Sequence, residues 1–272
     1  MGMFKGFQQV GGFQTTVRPI MMFPPFVDTS YGEVGNLGGI PSSNLVAWFN
    51  PSVNVTQSGG AVSSWKDTSG TYTWSGGSGT QQPTLVQGDP VYNGRPYFTT
   101  DGVHQYFNMA ASVGLSLQAN RTWQVIIVAK YNNVSGNVRL VQSDISPNKG
   151  TYVVNENSGT SQEVIYINDA GSTIVTTSTV NIDTKIHVYG HEIDRQTAGL
   201  QYLSIDNTWR NVSSAIGNSS ANYAAGQLWI GINGTLTAFT QLNIYDIFFY
   251  NQLLSQQDYI VLVNYIRGFY NF

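Results

Sequence analysis

The 272 residues carry 12 Lys and Arg against 15 Asp and Glu, a net charge of −3, and no cysteine. Disulfides, thiol chemistry and cysteine-ligated zinc are thereby excluded, and the lack of any cationic run argues against nucleic acid, whose phosphates need clustered cations. Charged residues are only 10% of the chain and aromatics 13%, while Asn, Gln, Ser and Thr supply about a third, a composition closer to fibres, adhesins and coat proteins than to disorder.

Residues 1–41 have no periodicity. Phe4, Phe7, Phe13, Phe23 and Phe26 alternate with glycines, and Pro19, Pro24, Pro25 and Pro41 interrupt any helix. Rings at that density gain stability only by burial, so the segment reads as an extended arm that anchors the chain to its own domain or to a neighbouring subunit. Met1 to Val10 has a single cation, Lys5, and the run Ile20–Phe23 is cut by two prolines. No signal peptide is expected, and no stretch approaches the roughly 18 apolar residues that span a bilayer.

From Leu45 onward the chain reads as β. Strands are expected at Leu45–Phe49, Tyr97–Phe98, Gln105–Met109, Thr122–Tyr131, Val138–Ser143, Tyr152–Asn155, Glu163–Ile167, Thr173–Thr177, Lys185–Ile193, Gln201–Ile205, Gln227–Ile232 and Leu242–Tyr250. Asn93-Gly94 and Asp101-Gly102 mark tight turns, as do glycine-rich stretches such as Ser75–Gly79. Ile244–Tyr250 is apolar at almost every position, the pattern of a central strand buried on both faces. One helix follows, capped by Ser255 with Asp258 three residues on; Tyr259, Leu262, Val263 and Ile266 share its apolar face, and Gly268 is expected to end it.

Three stretches together resemble the laminin-G/concanavalin A-like lectin-glucanase superfamily as it occurs in phage and bacterial surface proteins. They are Leu45–Asn50 with Val62–Gly70, then Pro83-Thr84 with Asn93–Phe98 and Asp101-Gly102, and finally Ile244–Ser255 running into the helix. The resemblance covers residues 45–266 and implies an all-β, two-sheet jelly-roll sandwich over residues 42–272, with the arm before it and a short helix after it. Members of the superfamily bind glycans or proteins, decorate virions or hydrolyse polysaccharides, so fold transfers better than activity.

The enzymatic branch places three acids at alternate positions of one strand. Here Glu192 and Asp194 match the first two, but the third position is Gln196, which can neither give nor take the proton. Retaining hydrolysis needs two carboxyl groups about 5 Å apart, and the remaining glutamates are Glu33, Glu156 and Glu163. No catalytic residue is expected, and Glu192 and Asp194 read as a solvated strand end. His187 and His191 would lie about 13 Å apart along a strand, too far to share a metal, and His104 stands alone. No cofactor is expected. Calcium, through Asp67, Asp89 and Asp101, is the weaker alternative, since these acids form no dense loop.

Sugar binding needs an aromatic platform beside amides or hydroxyls. Tyr72 with Trp74, and Trp209 with Arg210, fit that description; core packing of both tryptophans is the competing reading. These features predict a non-enzymatic virion surface protein of a bacteriophage, a capsid decoration, head fibre or tail adhesin. Its arm would dock on other virion proteins or on sister subunits of a homo-oligomer, and its lectin-like domain would face a host glycan. A carbohydrate-binding module of a bacterial surface or exported protein is the alternative.

Overall fold

The computed structural model describes residues 39–88, 90–109, 122–133, 139–143, 151–157, 162–169, 172–181, 183–194, 199–216, 227–232 and 238–272. The predicted arm's Phe4, Phe7, Phe13, Phe23 and Phe26 lie outside them, as do Asp89 and Gln196. In chain order the strands are β1 (Leu45–Phe49), β2 (Val55–Ser58), β3 (Ala61–Lys66), β4 (Thr73–Gly76), β5 (Thr84–Val86) and β6 (Tyr97–Thr99). Next come β7 (Phe107–Met109), β8 (Trp123–Tyr131), β9 (Arg139–Ser143), β10 (Thr151–Asn157), β11 (Gln162–Asp169) and β12 (Ser172–Asn181). Last are β13 (Ile186–Asp194), β14 (Leu200–Ile205), β15 (Thr208–Ala215), β16 (Leu228–Ile230), β17 (Leu242–Tyr250) and the helix α1 (Gln256–Tyr270).

Every pairing is antiparallel. One sheet runs β1–β17–β8–β13–β14–β15. The other runs β2–β3–β4–β7–β16–β9–β10–β11–β12. The short β5 and β6 link the two, because β5 pairs with β3 and β6 pairs with the start of β17. A bulge between Ile244 and Asp246 bends β17 where its neighbour changes from β6 to β1.

The fold is an all-β sandwich. Its main core takes Phe49, Trp123, Val125, Ile127, Tyr189 and Phe249 from the first sheet and Val62, Trp65, Trp74, Phe107 and Leu228 from the second. Alternate positions of β8, β13 and β17 feed a second core under the helix: Ile126, Val128, Val188, Tyr245 and Phe248 meet Tyr259, Leu262, Val263 and Ile266. This is why β17 is buried at all nine positions. A strand between a second sheet and a helix has no face left for water, and its sequence shows no alternation. Ile40 joins the helix-side core fully buried, and Tyr250 donates its hydroxyl proton to the Pro41 carbonyl at 3.1 Å. Residues 39–41, read from sequence as the end of the arm, therefore pack on the sandwich.

Most expected strands appear at or near their predicted bounds. β2, β3, β4, β5 and β15 were not foreseen, since each is short, polar or next to glycine. Asn93 and Gly94 both take positive φ, with Arg95 N–H donating to the Tyr92 carbonyl at 3.0 Å, but the turn lies inside the β5–β6 connection rather than at a two-residue hairpin. Ser255 caps α1 as expected, accepting from Asp258 N–H at 3.1 Å. Gly268 does not end the helix. It continues to Tyr270 and stops at Asn271, whose φ of 60° is left-handed, because Tyr270 is held down by burial and by its hydroxyl bond to Asp246 at 2.7 Å.

Gly190 on β13 lets the helix residue Tyr259 approach the sheet closely. A Cβ there would lie 2.9 Å from the Tyr259 ring and 3.2 Å from the Ser204 Cβ. Gly190→Ala should lower stability by about 1–3 kcal/mol through overpacking, read as a fall in thermal midpoint with loss of near-UV tyrosine signal. An unchanged midpoint would mean the helix is not seated on β13.

Candidate functional site

The two predicted aromatic patches fare differently. Trp74 sits on β4 with no exposed surface, its ring 6.0 Å from that of Phe49, and it pairs across the ladder with Trp65. Tyr72 is half-buried against the same core, with its N–H bound to Asp67 Oδ1 at 2.7 Å. Burial, with Asp67 nearby, raises its phenol pKa. The Tyr72–Trp74 platform is therefore corrected to a packing element: the larger ring faces the sandwich interior.

Trp209 and Arg210 lie together on β15, half-buried beside the helix-side core. The guanidinium carbon of Arg210 is 4.2 Å from the centre of the Trp209 ring and 4.1 Å from that of Tyr202 on β14, within the range of cation–π attraction. Arg210 Nε donates to Glu192 Oε2 at 2.8 Å, and its N–H donates to Ser204 Oγ at 2.8 Å. Its φ is 47°, an uncommon left-handed backbone for a residue with a long side chain. Such a conformation costs about 1–3 kcal/mol and persists only where its surroundings fix it. Here they do, through the backbone bond to Ser204 and the side-chain bond to Glu192. Asn207 and Thr208, in the adjacent turn and strand start, are exposed.

Glu192 corrects another expectation. It is not a solvated strand end but fully buried on β13, and Asp194 is only 8% exposed. Gln124 Nε2 donates to Glu192 Oε1 at 3.2 Å, Ser204 Oγ donates to the same oxygen at 3.3 Å, and Arg210 takes the other. Burial raises the Glu192 pKa, with Arg210 and Ser204 opposing the shift. Gln124 in turn accepts from Leu254 N–H at 2.8 Å, just ahead of α1. Both carboxylate oxygens are thus engaged, which suits a positioning role. Tyr202, Ser204 and Gln124 gave no signal in the sequence, because only the ladder register brings them beside Glu192.

The remaining titratable candidates serve local structure. Asp67 accepts from Ser69 N–H, Ser69 Oγ and Tyr72 N–H, and Asp101 Oδ1 accepts from the N–H groups of Val103, His104 and Gln105. Their oxygens close turns. Among the described residues no three acidic, His or Cys side chains gather as metal ligands, and no helix is long and apolar enough to cross a membrane. His191 is buried, which lowers its pKa to about 3, so it is neutral. His104 is exposed, with Nδ1 3.6 Å from Asp101 Oδ2.

His187 is bound on both nitrogens, by Asp206 Oδ2 at 2.8 Å and Asp183 Oδ1 at 3.2 Å. Burial opposes its protonation, but the two carboxylates outweigh that and raise its pKa above the ordinary 6.5. The folded state therefore holds this proton more tightly than the unfolded chain. The resulting stabilisation is complete below pH 6.5 and fades as pH rises through the folded value. His187→Gln should remove this part of the pH dependence in urea titrations; an unchanged profile would show that no imidazolium forms.

No family model matches the sequence, and no curated protein matches it either. Solved structures do resemble it. Trypanosoma rangeli sialidase aligns with a TM-score of 0.59 at 11% identity, over 84% of this chain and 33% of its own. The binding domain of botulinum neurotoxin DC, bound to rat synaptotagmin II, aligns at 0.58 and 11% over 82% and 52%. Botulinum neurotoxin type C, which depends on interaction with two ganglioside molecules to enter cells, aligns at 0.60 and 10% over 86% and 53%. The chain thus spans a third to about half of these proteins. At such identities the likeness is one of fold, the all-β sandwich.

Proposed function

We propose that this chain is a glycan-recognition module without catalytic activity, on a laminin-G/concanavalin A-like jelly roll, and that it binds through the Trp209–Arg210 edge. The observation that carries this reading is Arg210, held in a left-handed backbone with its guanidinium over two half-buried rings. Aromatic faces take the C–H side of a pyranose, while a guanidinium and exposed amides and hydroxyls such as Asn207 and Thr208 take its oxygens. The enclosure of Glu192 favours binding over hydrolysis, since a general acid must reach the glycosidic oxygen. Similar folds in a ganglioside-dependent toxin and a synaptotagmin-bound toxin binding domain support recognition as the use of the sandwich.

A glycan array followed by calorimetry on the full chain tests this. Saturable binding should weaken at least about tenfold in Trp209→Ala, a loss of about 1.4 kcal/mol, while Tyr72→Phe leaves it unchanged. Binding indifferent to Trp209 would move the site elsewhere, and no binding to any saccharide would remove the reading.

A second reading concerns where the module is displayed. The Phe/Gly/Pro-rich residues 1–41 and the low charge favour display on a virion surface as a decoration, with the arm docking on other virion proteins or on sister subunits of a homo-oligomer. Purified particles should then contain the protein stoichiometrically, and deletion of residues 1–38 should release a folded domain that no longer docks. Absence from particles would refute it.

A further inference from the structure

We infer that the Trp209–Arg210 edge selects acidic sugars, binding their carboxylate through the terminal nitrogens of Arg210. This rests on the glycan reading above and adds the chemical class of the ligand. A guanidinium has five N–H donors in a fixed plane. Arg210 spends the Nε donor on Glu192 Oε2, and among the described residues its side chain makes no other hydrogen bond. Its Nη donors are left over, on a side chain that is 25% exposed. They are also preoriented. Nε is anchored to a fully buried carboxylate, the plane packs against Tyr202 and Trp209, and the backbone is pinned to Ser204.

The geometry favours one partner over others. A planar two-oxygen acceptor matches the guanidinium edge with two parallel, charge-assisted bonds, each roughly twice as strong as a neutral one. A pair of sugar hydroxyls gains less from the same donors. The nearby anions do not occupy them: Asp206 is engaged by His187 and by Val188 N–H, and Asp194 accepts from Thr122 Oγ1. Glu192 offsets part of the charge, but it shares its own with Gln124 and Ser204. The carboxylate can come from a uronic acid or from a sialic acid, which present the same chemistry on different rings.

Calorimetry on the full chain decides it, with a glucuronate-containing oligosaccharide, 3′-sialyllactose, the methyl ester of each, and lactose. At least one acid should bind about tenfold or more tighter than its own ester, and whichever acid does so identifies the source. Arg210→Lys, which keeps the charge but loses the fork, should bring the acid-to-ester ratio down toward one, a ratio that a general loss of sugar affinity would leave unmoved. If acid and ester bind equally, the carboxylate inference is overturned while glycan recognition stands. If no saccharide binds, both fall. Should Arg210→Lys fail to fold, the acid-to-ester ratio on the unaltered protein still gives the answer.

Discussion

Trp65→Ala should lower the unfolding free energy by about 3–5 kcal/mol, the largest loss expected from any single substitution here. Trp65 has no exposed surface and lies on β3, yet its neighbours come from three other strands. Ring centres stand 5.3 Å away at Phe49, 4.7 Å at Phe98 and 5.7 Å at Phe107, within the edge-to-face and tilted arrangements that aromatic quadrupoles favour. Its indole N–H donates to the Asn50 carbonyl at 3.1 Å. Alanine would remove the ring, orphan that carbonyl and leave a void that close-packed neighbours cannot fill. Urea denaturation measures the loss, and Trp65→Phe should recover part of it. A loss under about 1 kcal/mol, the scale of a surface change, would show that the sheets do not meet at this residue.

The second large effect is a stability that declines with rising pH. Asp246 is buried between β17, β1 and α1, accepting from Trp48 Nε1 at 2.9 Å and from the Tyr270 hydroxyl at 2.7 Å. Burial raises its pKa to about 6 from an ordinary 3.8, against the pull of those donors and of Arg95. Between these values the folded protein keeps a proton that the unfolded chain releases, so stability falls as pH rises through the window. A rise from 3.8 to about 6 corresponds to about 3 kcal/mol. His187 and Glu192 have raised pKa values too and act in the same direction. Urea titrations from pH 4 to pH 7 should show this decline in the wild type and a flatter profile in Asp246→Asn. Equal slopes in the two proteins would refute the assignment.

The sandwich was legible in the sequence wherever burial is two-sided. β1 and β17 fall at their predicted bounds, because a run so dense in apolar residues has few other fates in a sheet protein. β2 and β15 escaped, since Val55–Ser58 and Thr208–Ala215 are mostly polar and owe their strand geometry to neighbours. The helix start was written in Ser255 and Asp258, whereas its end was set by a tertiary bond at Tyr270 that outweighs the low helix propensity of Gly268.

Half of the candidate site was readable and half was not. Trp209 and Arg210 are adjacent in sequence and stand out by residue type. Trp74 looked equivalent, but only its facing on β4 reveals that the ring points inward. Glu192 read as a solvated strand end because Gln196 breaks the acid pattern that would have given it a catalytic place. Its partners arrive from β8, β14 and β15, a meeting that depends on register and leaves no local trace.

The position of β17 also governs how the chain can fold as it is synthesised. This strand completes the ladders of β1, β6 and β8, and Trp48 must wait for a bond to a residue 198 positions further on. Until then the nascent chain carries an unzipped slot between β1 and β8, two edges with unpaired N–H and carbonyl groups. Such edges recruit strands from other chains. Closure dominated by distant pairings is slow, so a ribosome stalled before Leu242 should yield product that aggregates rather than a smaller soluble sandwich.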